Sequence, residues 1–449
     1  MSLLDVEFFQ PLFTALAAND DSQMQIAASS FNAADLADFI EAHPDSGIRL
    51  LSALPTEQGG KVLGYIGPAT QTLIAQQLPT RSLTELVTAM PSDERADFFQ
   101  LLDEQKQHSL FQSLASKERE DLRRLASFEE GTAGALMSSD YAMINTGVTA
   151  SAAIDLLRKT APDKETIYHA YIVDENHTLL GAVSLRNLIT ATPSASVNDL
   201  IATGLVTANT DTPQEEVARL ISRYDLLALP IVDQDDRLVG IVTYDDAMDA
   251  AEAEATEDMH KGATVGKLTG TLRDASPFSL YRSRVQWLVI LVFANIFTGA
   301  GIAYFEGIIS EHIALLFFMP LLVASAGNAG AQSATLMVRG MATGDVTVKD
   351  WGRLLGKETL VATGLGLTMA AAVMVVGLLR AGPEIAIVVA VTMIVVVMVG
   401  SLIGMLLPFL LDKLKFDPAT ASTPLITTIA DVSGVLIYFS IATALLNIS

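Results

Sequence analysis

Cysteine is absent from the 449 residues, which removes a disulfide scaffold, a thiolate metal site and a cysteine nucleophile together. Histidine is scarce, with six scattered residues. No metal-ligand spacing and no nucleophile–base pair emerges, so enzymatic chemistry has little to stand on. Basic residues are scarce in the first part of the chain. Residues 1–274 hold 42 acids against 19 Lys and Arg and residues 275–449 hold 9 of each, so the whole net charge of −23 (19 − 42) lies in the first part. Such a field repels a polyanion, which excludes nucleic-acid binding and makes cations the natural partners. The start, MSLLDVEFFQ, lacks a basic leader and an apolar core. No signal peptide is expected there, and the acidic half is expected to stay in the cytoplasm.

What is abundant is apolar sequence beyond about residue 285. A helix needs ~20 mostly apolar residues to cross a bilayer, and five such runs occur, at 285–305, 312–338, 359–379, 385–411 and 424–446. Lys and Arg concentrate on alternate connections: Arg273, Arg282 and Arg284 before the first run, Arg339, Lys349, Arg353 and Lys357 between the second and third, and Lys413 and Lys415 between the fourth and fifth. The excess of basic residues on the cytoplasmic side then predicts the acidic half inside and the C-terminus outside.

The acidic half divides in two. Residues 1–130 read as short amphipathic helices opened by Pro-polar starts, LPTEQ, LPTRS and MPSDE, which predicts an all-α superhelical scaffold. Residues 131–250 contain an internal repeat. YIVDENHTLLGAVSLRNL from Tyr171 and PIVDQDDRLVGIVTYDDA from Pro230 align at an offset of 59 residues, each a β-rich run, a polar turn, a second β-rich run and a helix start. This α/β repeat resembles a pair of cystathionine-β-synthase (CBS) domains. The resemblance implies a regulatory module that in many proteins binds adenosine nucleotides such as ATP, here with Thr243, Asp245 and Asp246 at the ribose and phosphate positions. A module that only senses ions or dimerises fits the same pattern.

Between Arg237 and Lys261 runs a stretch without one basic residue, carrying Asp245, Asp246, Asp249, Glu252, Glu254, Glu257 and Asp258. On a helix Asp245, Asp249 and Glu252 share a face, as do Glu254 and Asp258, and like charges at these spacings disfavour the helix. A solvated acidic face is one reading. The other is a site for hard divalent cations, which prefer carboxylate oxygen and would cancel the repulsion. GATVGKLT, from Gly262, imitates a phosphate-binding loop but has three residues between its glycines, and Leu follows Lys267. With no ATP-hydrolysing motor visible, transport is expected to run down an electrochemical gradient.

Ionisable residues within spans are costly and mark pathways. Asp431 is such a residue, about a third of the way into the fifth run and flanked by Thr427, Thr428, Ser433 and Gly434. It either bonds a neighbouring helix or faces a water-filled pore. One carboxylate per chain, repeated by symmetry, suits a hydrated divalent cation, and Asp417 lies near the expected inner mouth. The second run carries SAGNAGAQSAT, whose Gly327 and Gly330 are expected to loosen the helix. Asn328, Gln332 and Ser333 would then form a polar wall beside the ion, while Gly330, Ala331 and Ala334 form a packing seam.

PLLVASAGNAGAQSATLMVRGMATGDV (Pro320 to Val346) and TTIADVSGVLIYFS (Thr427 to Ser440) resemble the two signature regions of the MgtE family of magnesium channels and transporters. FEEGTAGALM from Phe128, the CBS-like repeat and EATEDMHKGA extend the resemblance over nearly the whole chain. It implies a multidomain membrane protein: helical N domain 1–130, tandem CBS domains 131–250, acidic connecting helix and linker 251–283, and a five-helix pore domain 284–449. It also implies an inner-membrane homodimer with Asp431 at the ion-selecting position, taking up Mg2+ and closed by intracellular Mg2+. The sensor positions implied are Glu215, Asp225, Asp246, Asp249, Glu254, Glu257 and Asp258, with Asp93 and Asp97 from the N domain as weaker ones. Two residues depart from the family pattern: Ala331 stands where a second Asn is common, and Gly340 where Ala is usual. A regulated exporter, or a carrier for another metal such as Mn2+ or Co2+, is the alternative, because pore residues do not encode direction.

Overall fold

The computed structural model describes residues 7–266 and 275–446; Lys267 and Arg273 lie outside them. Its contacts divide the chain into two units, Met1–Glu252 and Ala253–Ser449.

The first unit opens with helices of eight to ten residues, from Gln10–Ala18 to Ser116–Leu125. Prolines set their starts. Pro44 and Pro68 occupy the first turn of their helices, and Pro55, Pro79 and Pro91 occupy the capping position, where a fixed φ and a missing N–H cost nothing. Helices this short do not persist alone. Each is held by the next but one: Ala33–Ala42 packs on Thr56–Tyr65, which packs on Thr80–Thr88. Leu36, Phe39, Leu63, Ile74, Val87 and Phe98 fill the resulting core. At Gly60 a Cβ would come within 2.8 Å of the Ala89 carbonyl carbon, so the stacking requires glycine there.

The repeat forms two three-stranded sheets. In the first, β1 (Tyr141–Asn145) runs parallel to β2 (Thr166–Val173), which pairs antiparallel with β3 (Leu179–Ser184). In the second, β4 (Ala208–Asn209), β5 (Ala228–Val232) and β6 (Leu238–Thr243) repeat that order. The 59-residue offset is visible atom by atom. Asp174 and Asp233 each accept from the backbone N–H groups two and four residues on. His177 and Asp236, at matching positions, both adopt positive φ, 64° and 57°. The two turns then pair with each other, Leu179 N–H to the Asp236 carbonyl and Leu238 N–H to the His177 carbonyl, both at 3.0 Å. This reciprocity is the signature of a pseudo-twofold axis.

Directly after β6 comes a helix continuous from Tyr244 to Gly262, the connecting helix. It starts before residue 251, so Asp245, Asp246 and Asp249 sit in its first two turns.

The second unit contains five helices long and apolar enough to cross a membrane: Pro277–Tyr304, Ala314–Ala342, Trp351–Ala381, Pro383–Lys413 and Thr423–Leu445, called spans 1 to 5. Span 1 is a single helix from Pro277, so the expected edge at 284 falls inside it. Span 4 lies centrally, against spans 2, 3 and 5, while span 1 packs on span 5. The expectation of a loosened second span is corrected here. Gly327 and Gly330 lie in a helix unbroken from Ala314 to Ala342, because hydrocarbon offers no water to replace intrahelical hydrogen bonds. The glycines serve close approach instead. A Cβ on Gly330 would meet the Gly400 carbonyl oxygen of span 4 at 2.7 Å, and one on Gly327 would meet Thr427 of span 5 at 3.1 Å. Gly330 and Ala334 are buried and Ala331 is half-buried, as the seam requires.

Candidate ion sites in the cytosolic and membrane units

In the first unit the helix Ser92–Leu101 is anchored through its first residue. Ser92 is buried; its hydroxyl lies 3.0 Å from that of Ser138 and accepts the Ser139 N–H at 2.8 Å. The Arg124 guanidinium joins the same seam, donating to the Val239 carbonyl and to Asp121, each at 2.9 Å. These bonds tie the helical scaffold to the β-sheet module. They also fix Asp93 and Glu94 in a first turn, where the helix dipole favours negative charge.

That placement brings acids together from three elements. Burial first, then the charges of Asp246, Glu165 and Glu94, pushes the Asp93 carboxyl well above the usual carboxylate range. Glu94 is pushed up to about 8 by burial and by Asp97, Asp246 and Asp249. Glu165, at the foot of β2, rises to about 7 through burial, Asp246, Asp140 and Asp245, and Asp97 to about 6 through burial, Glu130 and Asp246. Asp246 itself is raised, by burial against the opposing bond from Thr243, and Asp249 is raised by burial and by Asp245 and Glu252. Asp93 Oδ1 is buried with no hydrogen-bond partner. Six carboxylates thus share a region in which burial and neighbouring negative charge disfavour ionisation.

Of the sequence-derived positions, this cluster unites Asp93, Asp97, Asp246 and Asp249. Glu215 lies in the first turn of the helix Gln214–Arg223, and Asp225 two residues past its end with φ 50°. Sequence reading missed Glu94 and Glu165. Glu94 adjoins Asp93 in MPSDE and could have been found by the dipole rule, whereas nothing local in PDKETIY marks Glu165. Thr243 Oγ1 lies 2.5 Å from Asp245 Oδ1 and also contacts Asp246 Oδ2. Its single proton serves one of them at a time.

Glu254, Glu257 and Asp258 belong to the second unit. Asp258 is raised to about 6 by burial, Asp417 and Glu254, with Lys261 opposing. Glu257 pairs with Lys261 at 2.6 Å. Among the described residues no three acidic or histidine side chains converge tightly enough to chelate a bare ion.

Within the membrane unit Asp431 lies in the third turn of span 5, half-buried, on the stripe that holds Thr427, Gly434 and Tyr438. No hydrogen bond or ion pair among the described residues engages its carboxylate. Its neighbours are already committed: the Thr427 and Thr428 hydroxyls donate to the Pro424 carbonyl at 3.0 and 2.8 Å, and Ser433 to Ile429 at 2.8 Å. The Thr427–Gly327 contact and the approach of Gly434 to Val323 set spans 2 and 5 antiparallel, with Asp431 one turn beyond Thr427. On span 2, Asn328 and Gln332 are exposed one turn apart, while Ser333 is buried with an unpartnered hydroxyl. A second acid, Glu358, lies two turns into span 3, but Ser401 of span 4 donates to it. Asp431 is the one acid in span 5.

Three family models match in the same order as these elements: the MgtE intracellular N domain over residues 31–131, the CBS domain over 133–194 and 197–253, and a divalent cation transporter model, MgtE, over 319–441. The magnesium transporter MgtE of Thermus thermophilus is 40% identical over 402 residues, covering 89% of this chain and 89% of its own. The chain belongs to the MgtE family. The MgtE protein of Bacillus subtilis is 33% identical over 400 residues, covering 89% of this chain and 88% of its own. A crystal structure of the cytosolic domain of the Mg2+ channel MgtE in complex with ATP matches with a TM-score of 0.51 at 35% identity, over 53% of this chain and 98% of that one. The soluble part of a magnesium transporter matches with a TM-score of 0.54 at 26% identity, over 56% of this chain and 99% of that one. Membership of this family makes the chain a membrane transporter of divalent cations rather than an enzyme.

Proposed function

We propose that this chain conducts Mg2+ across the membrane, down its electrochemical gradient, through a pore lined by spans 2 and 5. The observation that carries this reading is the carboxylate of Asp431, which no hydrogen bond or ion pair engages among the described residues, on a helix where the adjacent Thr427, Thr428 and Ser433 hydroxyls are spent on their own backbone. A buried charge persists in a membrane when something mobile compensates it, and here a hydrated cation does so. Asn328, Gln332 and Ser333 would hold waters of that hydration shell, with Thr427 and Gly434 completing the wall and Asp417 at the inner mouth. Asn328 and Gln332 are exposed on the single chain, where hydrocarbon would penalise them. A second copy enclosing a water-filled path between two such faces removes the penalty, which supports a homodimer with its pore at the interface, its N-terminal units cytoplasmic and its C-terminus outside.

The acidic cytosolic residues close the pore in this reading. At low internal Mg2+ the carboxylates repel and their elements separate, and bound Mg2+ draws them together. A ligand shifts an equilibrium only by its differential affinity for two states, and a cluster that repels itself when empty supplies that difference. An adenosine nucleotide at Thr243 and Asp245 is the second cytosolic ligand proposed, supported by the relative's cytosolic domain solved with ATP. The test is divalent flux into vesicles holding the purified chain, at set internal Mg2+. Saturable Mg2+ flux that falls as internal Mg2+ rises supports the reading, and the absence of flux overturns it.

A further inference from the structure

The C-terminal end of the connecting helix is fastened to the membrane unit by a side chain that carries its own positive charge. Lys261 Nζ lies 2.6 Å from Glu257 Oε1, one turn back on the same helix, and 2.5 Å from Asp417 Oδ2, in the loop between spans 4 and 5. The other oxygen of Asp417 accepts the Ala419 N–H at 2.8 Å and so caps the 3-10 turn Pro418–Thr420 that leads into span 5. Four residues after the helix ends, the chain returns toward span 1, where the Gly266 N–H meets the Ser283 carbonyl at 2.8 Å. The helix end is thus held at two points, and the ionic one sits fourteen residues before Asp431.

The charges around Lys261 do not balance. Glu257, Asp258 and Asp417 bring three negative charges, and Lys261 returns one. Partial burial works against the ammonium, yet the bonds to Asp417 and Glu257 outweigh it and raise its proton affinity. A lysine is a compact, strongly hydrated point charge with three donors, and two carboxylates already take two of them. A divalent cation drawn to these acids would need the oxygens that Lys261 occupies.

We infer that Lys261 is a tethered counter-ion, a positioning residue that holds the connecting helix on the loop before span 5 without any bound metal and competes with divalent cations for Asp417 and Glu257. The inference rests on the feedback reading above and deepens it. Part of the charge neutralisation that closes the pore is built into the chain, so Lys261 sets how much internal Mg2+ closure requires. Without the ammonium, the three acids would repel one another until metal entered, and the difference between metal-free and metal-bound states would widen.

The chain lacks cysteine, so cysteines placed at Met259 and Phe416, both exposed, carry a spin-label pair across this contact. In the otherwise unchanged protein the label distance is expected to be narrow in metal-free buffer. In Lys261→Met it should broaden without metal and narrow on adding Mg2+; Asp417→Asn should broaden it as well, and Lys261→Arg should restore the narrow distribution. Flux at low internal Mg2+ should rise about two- to fivefold in Lys261→Met, the range for removing a partly exposed ion pair, and should still fall at high internal Mg2+. A distribution in Lys261→Met as narrow as in the parent overturns the inference, as does unchanged flux alongside a broadened distribution. A narrow, lysine-dependent distribution in a parent whose flux ignores internal Mg2+ would remove the feedback reading and leave the tether standing.

Discussion

Asp431 in span 5 and the acids around Asp93 are both groups of carboxylates short of counter-charge, but they are short in different ways. Asp431 is alone, on a helix where the neighbouring Thr427, Thr428 and Ser433 hydroxyls donate to their own backbone, in a unit held by glycine-mediated contacts between spans. The cytosolic acids are crowded, and burial together with their neighbours' charge pushes Glu94 up to about 8 and Glu165 to about 7. In the proposed reading, the solitary charge in its rigid frame selects what passes. In the same reading, the crowded, self-repelling group responds to what binds, since its free energy changes with every proton or cation added.

Four measurements can break or sharpen that contrast. The largest effect is expected from Asp431→Ala, which should cut selective Mg2+ flux by about tenfold or more, each 1.4 kcal/mol of lost ion stabilisation being a factor of about ten. The protein should remain folded, because no side chain loses a partner. Flux at the parental level would remove Asp431 from the pathway. Next, the triple variant Asp93→Asn, Glu94→Gln, Asp246→Asn should conduct normally at low internal Mg2+ and lose most of its inhibition at millimolar internal Mg2+. Undiminished inhibition would sink the cluster as sensor.

The third concerns pH. A carboxyl whose folded pKa is raised holds more protons folded than unfolded, so stability falls as pH climbs from the unfolded value toward the folded one. For Glu94 that window runs from 4.5 to about 8, and for Glu165 from 4.5 to about 7. Metal-free protein should therefore melt several degrees lower at pH 8 than at pH 6, at about 2–4 °C per kcal/mol for a domain of this size, and Mg2+ should recover most of the loss. Because protons compete with the metal, the internal Mg2+ needed for half-inhibition should be higher at pH 6 than at pH 8. A melting temperature that rises with pH in metal-free buffer would contradict the crowding. The smallest effect is expected for Glu165→Gln alone, which should raise metal-free stability by about 1 kcal/mol at pH 8 by removing one repulsive neighbour and leave flux at low Mg2+ unchanged. A destabilised variant would mean that Glu165 serves packing.

Much of this was legible before any coordinates. Five apolar runs dictate five membrane helices because length and hydropathy alone decide what crosses a bilayer. The 59-residue repeat forces two copies of one sheet, and its matched Asp174 and Asp233 turns follow from local hydrogen bonding. Asp431 identifies itself because a charge inside an apolar run has no inexpensive alternative explanation. The helix boundaries were less legible. Span 1 and the connecting helix both begin earlier than composition suggested, since polar residues such as Tyr281 and Asp245 extend a helix that apolar counting cuts short.

What composition could not show is which distant groups meet. Glu165 gains its role only when β2 is brought beside the Ser92–Leu101 helix and the start of the connecting helix. Lys261 finds Asp417 across more than a hundred and fifty intervening residues. Gly327 and Gly330 read as helix looseners in sequence, and became contact points only against Thr427 and Gly400. Sequence determined the spans, the repeat, the sign of the charge and the one carboxylate in span 5, because these depend on local composition and on the cost of burying charge. Tertiary structure decided which acids repel, which distant acid Lys261 reaches and which hydroxyls are already spent, because Coulomb and hydrogen-bond energies depend on separation in space and not along the chain.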